Sequence, residues 1–278
     1  MNNCITFVPV GGLGNRMGAI ASAATLAVAT KSDLQIVWFQ DWALHAPFHS
    51  LFQPVDETLC KIREATPLDY ILLDRPRRFN LQLPRFYQKL RYSSCLYESS
   101  VGILRKEHFD FATWIRNNKR VYLASYSAFV HYDPRMICRL FLPREDLLKQ
   151  IDQRASRFPA LTIGVHIRRT DSVISIQRSP IEAFYQKLDN DINENGELGI
   201  YLATDSEEVK LLMKRRYGAR IMTADSDSDR SSIAGMQAGT IELYTLARTS
   251  RIYGSFGSTF SEMAAQIGQL PIEVITRQ

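Results

Sequence analysis

The chain has 278 residues, 45% hydrophobic and 23% charged, which is an ordinary globular mixture sufficient for one large domain or two medium ones. No run approaches the roughly 18 uncharged apolar residues of a membrane-spanning helix; the most apolar stretch, residues 19–29, is interrupted by Ser22 and Thr25. The net charge of +5 sits in the first half: residues 1–145 hold 18 Lys/Arg against 12 Asp/Glu, whereas residues 146–278 hold 16 against 17.

Residues 5–10 read as a strand, residues 11–14 as a tight loop, residues 16–30 as a helix and residues 34–39 as a second strand. The pattern then blurs from residue 46 to residue 106, where Pro, aromatic and basic residues mix. Basic residues crowd between Arg75 and Lys106, interleaved with Phe79, Phe86, Tyr87, Tyr92 and Tyr97. Such a stretch is a candidate for peripheral contact with an anionic membrane or acidic acceptor. A solvated helical surface with its aromatics turned inward is the simpler explanation, and no nucleic-acid module accompanies it. A strand near residues 121–125 and a helix over 144–157 complete the first half.

Beyond residue 160 the alternation is regular. Strands are expected at 162–168, 199–204, 220–223, 251–255 and 272–276. Helices are expected from a capping box at Ser179 to Glu182, over 205–217 stopped by Gly218, over 240–247 and over 259–267. This grammar predicts an α/β chain of two Rossmann-like domains, 1–145 and 146–278, each with a parallel sheet and with ligands in a cleft between the two. The start of the chain does not read as a secretory leader, and Cys4, Cys60, Cys95 and Cys138 are too scattered for a zinc or redox motif. A cytoplasmic protein is the expectation, with peripheral attachment to the inner membrane through residues 75–106 as its extension.

Several segments carry chemistry. Gly11, Gly12 and Gly14, with Asn15, lie between a strand and a helix, where backbone N–H groups can face an anion. The dinucleotide fingerprint is incomplete, since Met17 fills its third glycine position, but Asp41 after the second strand leaves a nicotinamide reading open. His166, Arg168, Arg169 and Asp171 end the first strand of the second half. Alternation puts His166 and Arg168 on one face and Arg169 on the other. Two arginines at that edge each need an anion: a diphosphate, or a salt bridge to Asp171, Asp205 or Glu242. Asp205 follows the next strand and doubles as a helix N-cap. Ser258 and Thr259 open a later helix as a second anion cradle, or as a plain cap. The acidic run Asp225, Asp227 and Asp229 reads as a loop that closes over a ligand rather than as a metal site.

The segment His166–Asp171 resembles the H-x-R-R-x-D motif of fucosyltransferases, most closely the α1,6 enzymes and the rhizobial Nod-factor enzymes, more distantly the α1,2 and protein O-fucosyltransferases. The likeness runs from about residue 161 to residue 267, and the 11–15 loop looks like that of the α1,2 enzymes. It implies a GT-B-type glycosyltransferase, GDP-β-L-fucose as donor, inversion at the anomeric carbon, a glycan or lipid-linked glycan acceptor, and no metal or other cofactor. By the same resemblance Arg168 grips the β-phosphate, His166 contacts the nucleotide and Glu242 accepts hydrogen bonds from the guanine edge. Ser258 donates to the phosphates, and Asp205 matches the family's Thr-Asp pair.

One departure stands out. The α1,6 enzymes carry a glutamate eight residues after the phosphate-binding arginine, and here that position is Ile176; their lysine four residues after it is Ser172. Asp41, His45 and Asp74 are the remaining candidate bases, and the leaving phosphate itself is another. Three alternatives therefore stay open: another nucleotide-sugar donor, a non-catalytic nucleotide-sugar or glycan binder, and a nicotinamide oxidoreductase. The last leaves the arginine pair and Ser258 unexplained.

Overall fold

A computed structural model describes residues 3–170, 172–224 and 229–277. Its contacts divide the chain into two compact units, Met1–Leu142 and Pro143–Gln278. Both are α/β with a five-stranded parallel sheet, so the expected class of two Rossmann-like halves is observed.

In the first unit the elements run β1 (Cys4–Pro9), α1 (Leu13–Thr30), β2 (Asp33–Trp38), β3 (Lys61–Glu64), α2 (Pro67–Leu72), α3 (Gln82–Arg91), β4 (Ser94–Leu96), α4 (Glu98–Lys106), α5 (Phe111–Arg116), β5 (Arg120–Ser125) and α6 (Arg135–Leu140). The second unit holds α7 (Glu145–Ala155), β6 (Thr162–Ile167), α8 (Val173–Arg178), α9 (Ile181–Glu194), β7 (Gly199–Thr204), α10 (Glu207–Tyr217), β8 (Ile221–Thr223), α11 (Ile233–Leu246), β9 (Arg251–Ser255), α12 (Thr259–Gly268) and β10 (Ile272–Ile275).

Strand order is β3-β2-β1-β5-β4 in the first sheet and β10-β9-β6-β7-β8 in the second. Counted from its own first strand, the second sheet reads 3-2-1-4-5, the Rossmann order, with its reversal between β6 and β9. The first sheet swaps its last two strands, and its reversal lies between β1 and β5. Strands β6 and β7 are buried along their whole length, as a sheet covered on both faces requires. Ile163, Val165, Ile167, Leu202, Phe184 and Met213 make the core on one side. Gly254 lets α12 approach β9 closely, since a Cβ there would lie 2.5 Å from Ser261 Oγ.

Four local expectations need correction. The helix at 181 is not capped by Ser179: its N-cap is Pro180, and the Ser179 hydroxyl donates to Ile275 O (2.5 Å) and accepts from Phe256 N (2.8 Å). Two tertiary partners outcompete one local cap. Asp205 does not cap α10 either; Ser206 does, accepting from Val209 N. Helix α11 starts two turns before residue 240, capped by Ser232, because burial overrides the two glycines in its first half. In the basic stretch, Tyr92 is buried and Tyr87 and Tyr97 pack on the core, but Phe79 and Phe86 point outward. Among the described residues no helix is long and apolar enough to cross a membrane.

Candidate functional site

The carboxyl ends of β6, β7 and β9 bring together most of the residues singled out in the second half. Strand β6 ends at Ile167, so His166 lies inside the sheet and Arg168 and Arg169 lie just past its edge. Arg168 N donates to Ser255 Oγ (3.1 Å), which ties the start of that loop to the end of β9. Ser258, three residues farther on, is the N-cap position of α12. Its hydroxyl does not cap the helix; it pairs with His166 Nδ1 at 3.0 Å, and the imidazole stacks on Phe260 at 4.8 Å. His166 and Ser258 are therefore one unit, and Thr259 is exposed on the first turn of α12 beside them. The arrangement sets a guanidinium-bearing loop next to a helix N-terminus at the sheet's reversal point, where anionic ligands of such folds sit.

Arg169 and Asp205 have internal partners. The Arg169 guanidinium donates to Arg168 O and Ser179 O, both at 2.9 Å. Burial lowers its pKa, opposed by the nearby Asp205 charge. Asp205 accepts from Arg169 N (2.7 Å), Thr170 N (3.2 Å) and Thr170 Oγ1 (2.7 Å). These bonds fix the loop's backbone and leave Arg168 as the member of the pair on the Ser255 side. Asp171, Asp225 and Asp227 lie outside the described residues. Asp229 accepts from Ser231 N and Oγ. Among the described residues no group of three or more His, Cys, Asp or Glu side chains converges as metal ligands.

Glu242 is 7% exposed on α11, a helix that packs against β7. Burial pushes its carboxyl up to about 7; Lys210 and Arg154 oppose the shift, and Asp205 adds to it. A carboxyl poised near neutrality and buried in this way suits a ligand donor that binds the charged form. Tyr201 beside it is raised by burial and by the Glu242 charge.

The first unit has its own loop at the carboxyl end of β1. Gly11 has φ +89°, which glycine adopts without strain. Gly12 is the extended N-cap of α1, and Gly14 and Asn15 fall in its first turn. Sequence reasoning missed Arg16. It is fully buried, donates to Gly11 O (2.7 Å), Phe39 O and Asp41 Oδ1 (3.0 Å), and lies over the Trp38 ring. Burial lowers its pKa to about 10 against the opposing pull of Asp41. An acid just beyond the second strand was the available signal.

Of the candidate bases, Asp41 is paired with Arg16 and lies 3.7 Å from Arg75. Asp74 is buried, pairs with Arg77 at 2.8 Å and accepts from Arg75 N. His45 is exposed. Glu64, also missed, ends β3 with Oε1 accepting from Phe48 N (2.7 Å) and Oε2 buried without a hydrogen bond. Burial raises its pKa, which suits a group that takes up a proton. Ile176 is half-buried on α8.

No family model and no curated protein sequence matches the chain. Solved structures do. NodZ α-1,6-fucosyltransferase soaked with GDP-fucose is similar with a TM-score of 0.66 and 18% identity over 98% of this chain and 94% of that one. A mutant of Arabidopsis thaliana FUT1 in complex with GDP gives 0.63 at 14% identity, over 98% of this chain and 70% of that one. POFUT1 in complex with GDP gives 0.59 at 12% identity, over 97% and 96%. At these identities the likeness establishes a shared fold. The neighbours are fucosyltransferases, the family that the motif at His166 resembles.

Proposed function

We propose that the chain is a glycosyltransferase that moves L-fucose from GDP-β-L-fucose to a glycan hydroxyl with inversion at the anomeric carbon. The second half binds the donor and the first half presents the acceptor. The observation that carries this reading is the juxtaposition of Arg168 with the α12 N-terminus at the β6–β9 reversal point. That cradle suits a diphosphate. Guanine then falls to Glu242, whose carboxylate can accept two hydrogen bonds from the purine edge. His166 holds the Ser258 hydroxyl toward the phosphates, while Arg169 and Asp205 keep the loop rigid behind Arg168.

The chemistry needs few groups. The acceptor oxygen attacks the anomeric carbon as the bond to the β-phosphate oxygen breaks, and GDP departs with that electron pair. Arg168 stabilises the charge that develops on the leaving oxygen, worth about 2.7–4 kcal/mol for a well-placed donor. With isoleucine at 176, no acid follows the loop at that spacing, so the released proton goes to the departing diphosphate. Neither step calls for a metal. Gly12, Gly14 and Asn15 are the first half's candidates for ligand contact.

A radiolabelled GDP-fucose transfer assay against oligosaccharide acceptors tests the reading, beside binding titrations of GDP, UDP and NAD with and without EDTA. GDP binding with fucose transfer unaffected by EDTA is expected. Stronger binding of UDP or NAD than of GDP contradicts the donor assignment. Ile176 also favours a second reading, a non-catalytic GDP-sugar binder, which predicts tight GDP binding with neither transfer nor hydrolysis.

A further inference from the structure

Helix α3 has a surface that folding does not account for. Pro84 and Gln88 face inward, with Gln88 Nε2 donating to Leu72 O and Asp74 O. Leu83, Phe86 and Leu90, at spacings of three and four, form a single stripe on a different side. They are 60%, 69% and 74% exposed, and Phe79, just before the helix, is 80% exposed. At 100° per residue, Lys89 borders that stripe beside Phe86, and Arg85 lies beyond Lys89 toward Gln88. Isolated exposed leucines are ordinary, but a continuous outward stripe with a phenylalanine at each end of its first half is not.

Charge decides what covers it. Between Arg75 and Lys106 the sequence has eight basic residues and one acid, Glu98. Arg75 lies 3.4 Å from Glu98, and Arg77 pairs with Asp74, so local acids account for those two. Arg78, Arg85, Lys89, Arg91, Arg105 and Lys106 are exposed. An apolar stripe of Phe and Leu bordered by Arg and Lys is the composition of a helix that lies in a bilayer interface, rings in the acyl boundary and cations among anionic headgroups. We infer that α3 and the preceding Phe79 form a docking surface for an anionic lipid bilayer, holding the chain at the membrane without spanning it. This attachment does not depend on the reaction proposed above.

Flotation of the full chain with vesicles tests it. Vesicles of phosphatidylcholine are compared with vesicles containing about one third phosphatidylglycerol, at low salt and at roughly 0.5 M NaCl. Binding to the anionic vesicles alone, weakened by salt, is expected. Phe86→Ser with Leu90→Ser should cut it at least about tenfold, and Arg85→Gln and Lys89→Gln about fivefold each. Because these side chains are exposed, far-UV circular dichroism and GDP titration should not change in the variants. The inference is overturned if the anionic vesicles are not bound, or if binding is independent of lipid charge. It is also overturned if the double serine variant binds as the parent does. A concentration-dependent dimer in sedimentation equilibrium that the same variants dissolve would assign the surface to a second copy instead.

Discussion

The two halves share a sheet plan, a central first strand with helices on both faces, but they treat charge at the carboxyl edge in opposite ways. In the first half the arginine after the glycine loop is turned inward. Arg16 spends its guanidinium on Gly11 O, Phe39 O and Asp41, and Asp74 is bound up with Arg77. In the second half one arginine of the pair, Arg169, does that internal work, holding Arg168 O and Ser179 O. The Arg168 backbone N–H meets Ser255 Oγ, three residues before the α12 N-cap, and Glu242 is buried but poised near neutrality. Buried charges answered by the chain itself hold a fold together, whereas the proposed donor site draws on charges near a helix terminus at the reversal point.

Substitutions in each half test that contrast. The largest effect is expected in the first half: Arg16→Met removes the nearer cation from Asp41, leaving Arg75 at 3.7 Å, and should cost about 3 kcal/mol of stability, measured by urea unfolding. A loss under about 1 kcal/mol with weakened ligand binding would move Arg16 from scaffold to site. In the second half, Arg168→Ala should lower transfer by roughly 10²–10³-fold in kcat/KM.

A smaller effect, and one with a pH signature, is expected at Glu242. Its folded pKa of about 7 lies above the ordinary 4.5, so the stability its neutral form contributes is complete below pH 4.5 and is lost as pH rises through 7. Guanine binding needs the carboxylate, so GDP affinity should run the other way. It should rise about tenfold per pH unit below 7 and flatten above it. Glu242→Gln should weaken GDP binding about tenfold at pH 8 and remove the slope; a slope unchanged in that variant would free Glu242 from the guanine role. Ser258→Ala removes one hydroxyl donor and should weaken GDP by only about threefold to tenfold in a calorimetric titration.

The second half was legible almost residue by residue, because its strands are continuous apolar runs and its helices alternate with them. Strands 199–204 and 251–255 coincide with β7 and β9. What escaped was where side chains spend their hydrogen bonds. Ser179 reads as a cap in one dimension and is a tertiary link between β9 and β10, and Asp205 reads as a cap and is a clamp on residues 169 and 170. The His166–Ser258 pair spans 92 residues, so spacing alone could not join them. Residues 46–106 were opaque for another reason. Their elements are short, and α3 turns apolar residues outward, so burial and hydrophobicity no longer share a period. Arg16, next to a glycine loop, looks like a solvent or ligand group until its three oxygen partners are seen together.

The central claim is that the carboxyl edge of β6 and β9 is a guanosine diphosphate site held by Arg168. Calorimetric titration of GDP into the parent chain and into Arg168→Ala, at pH 8 and with EDTA present, tests it most directly. The account predicts one site per chain in the parent and affinity lowered by about 10–100-fold in the variant. Equal GDP affinity in the two proteins, or no GDP binding by the parent, would contradict it.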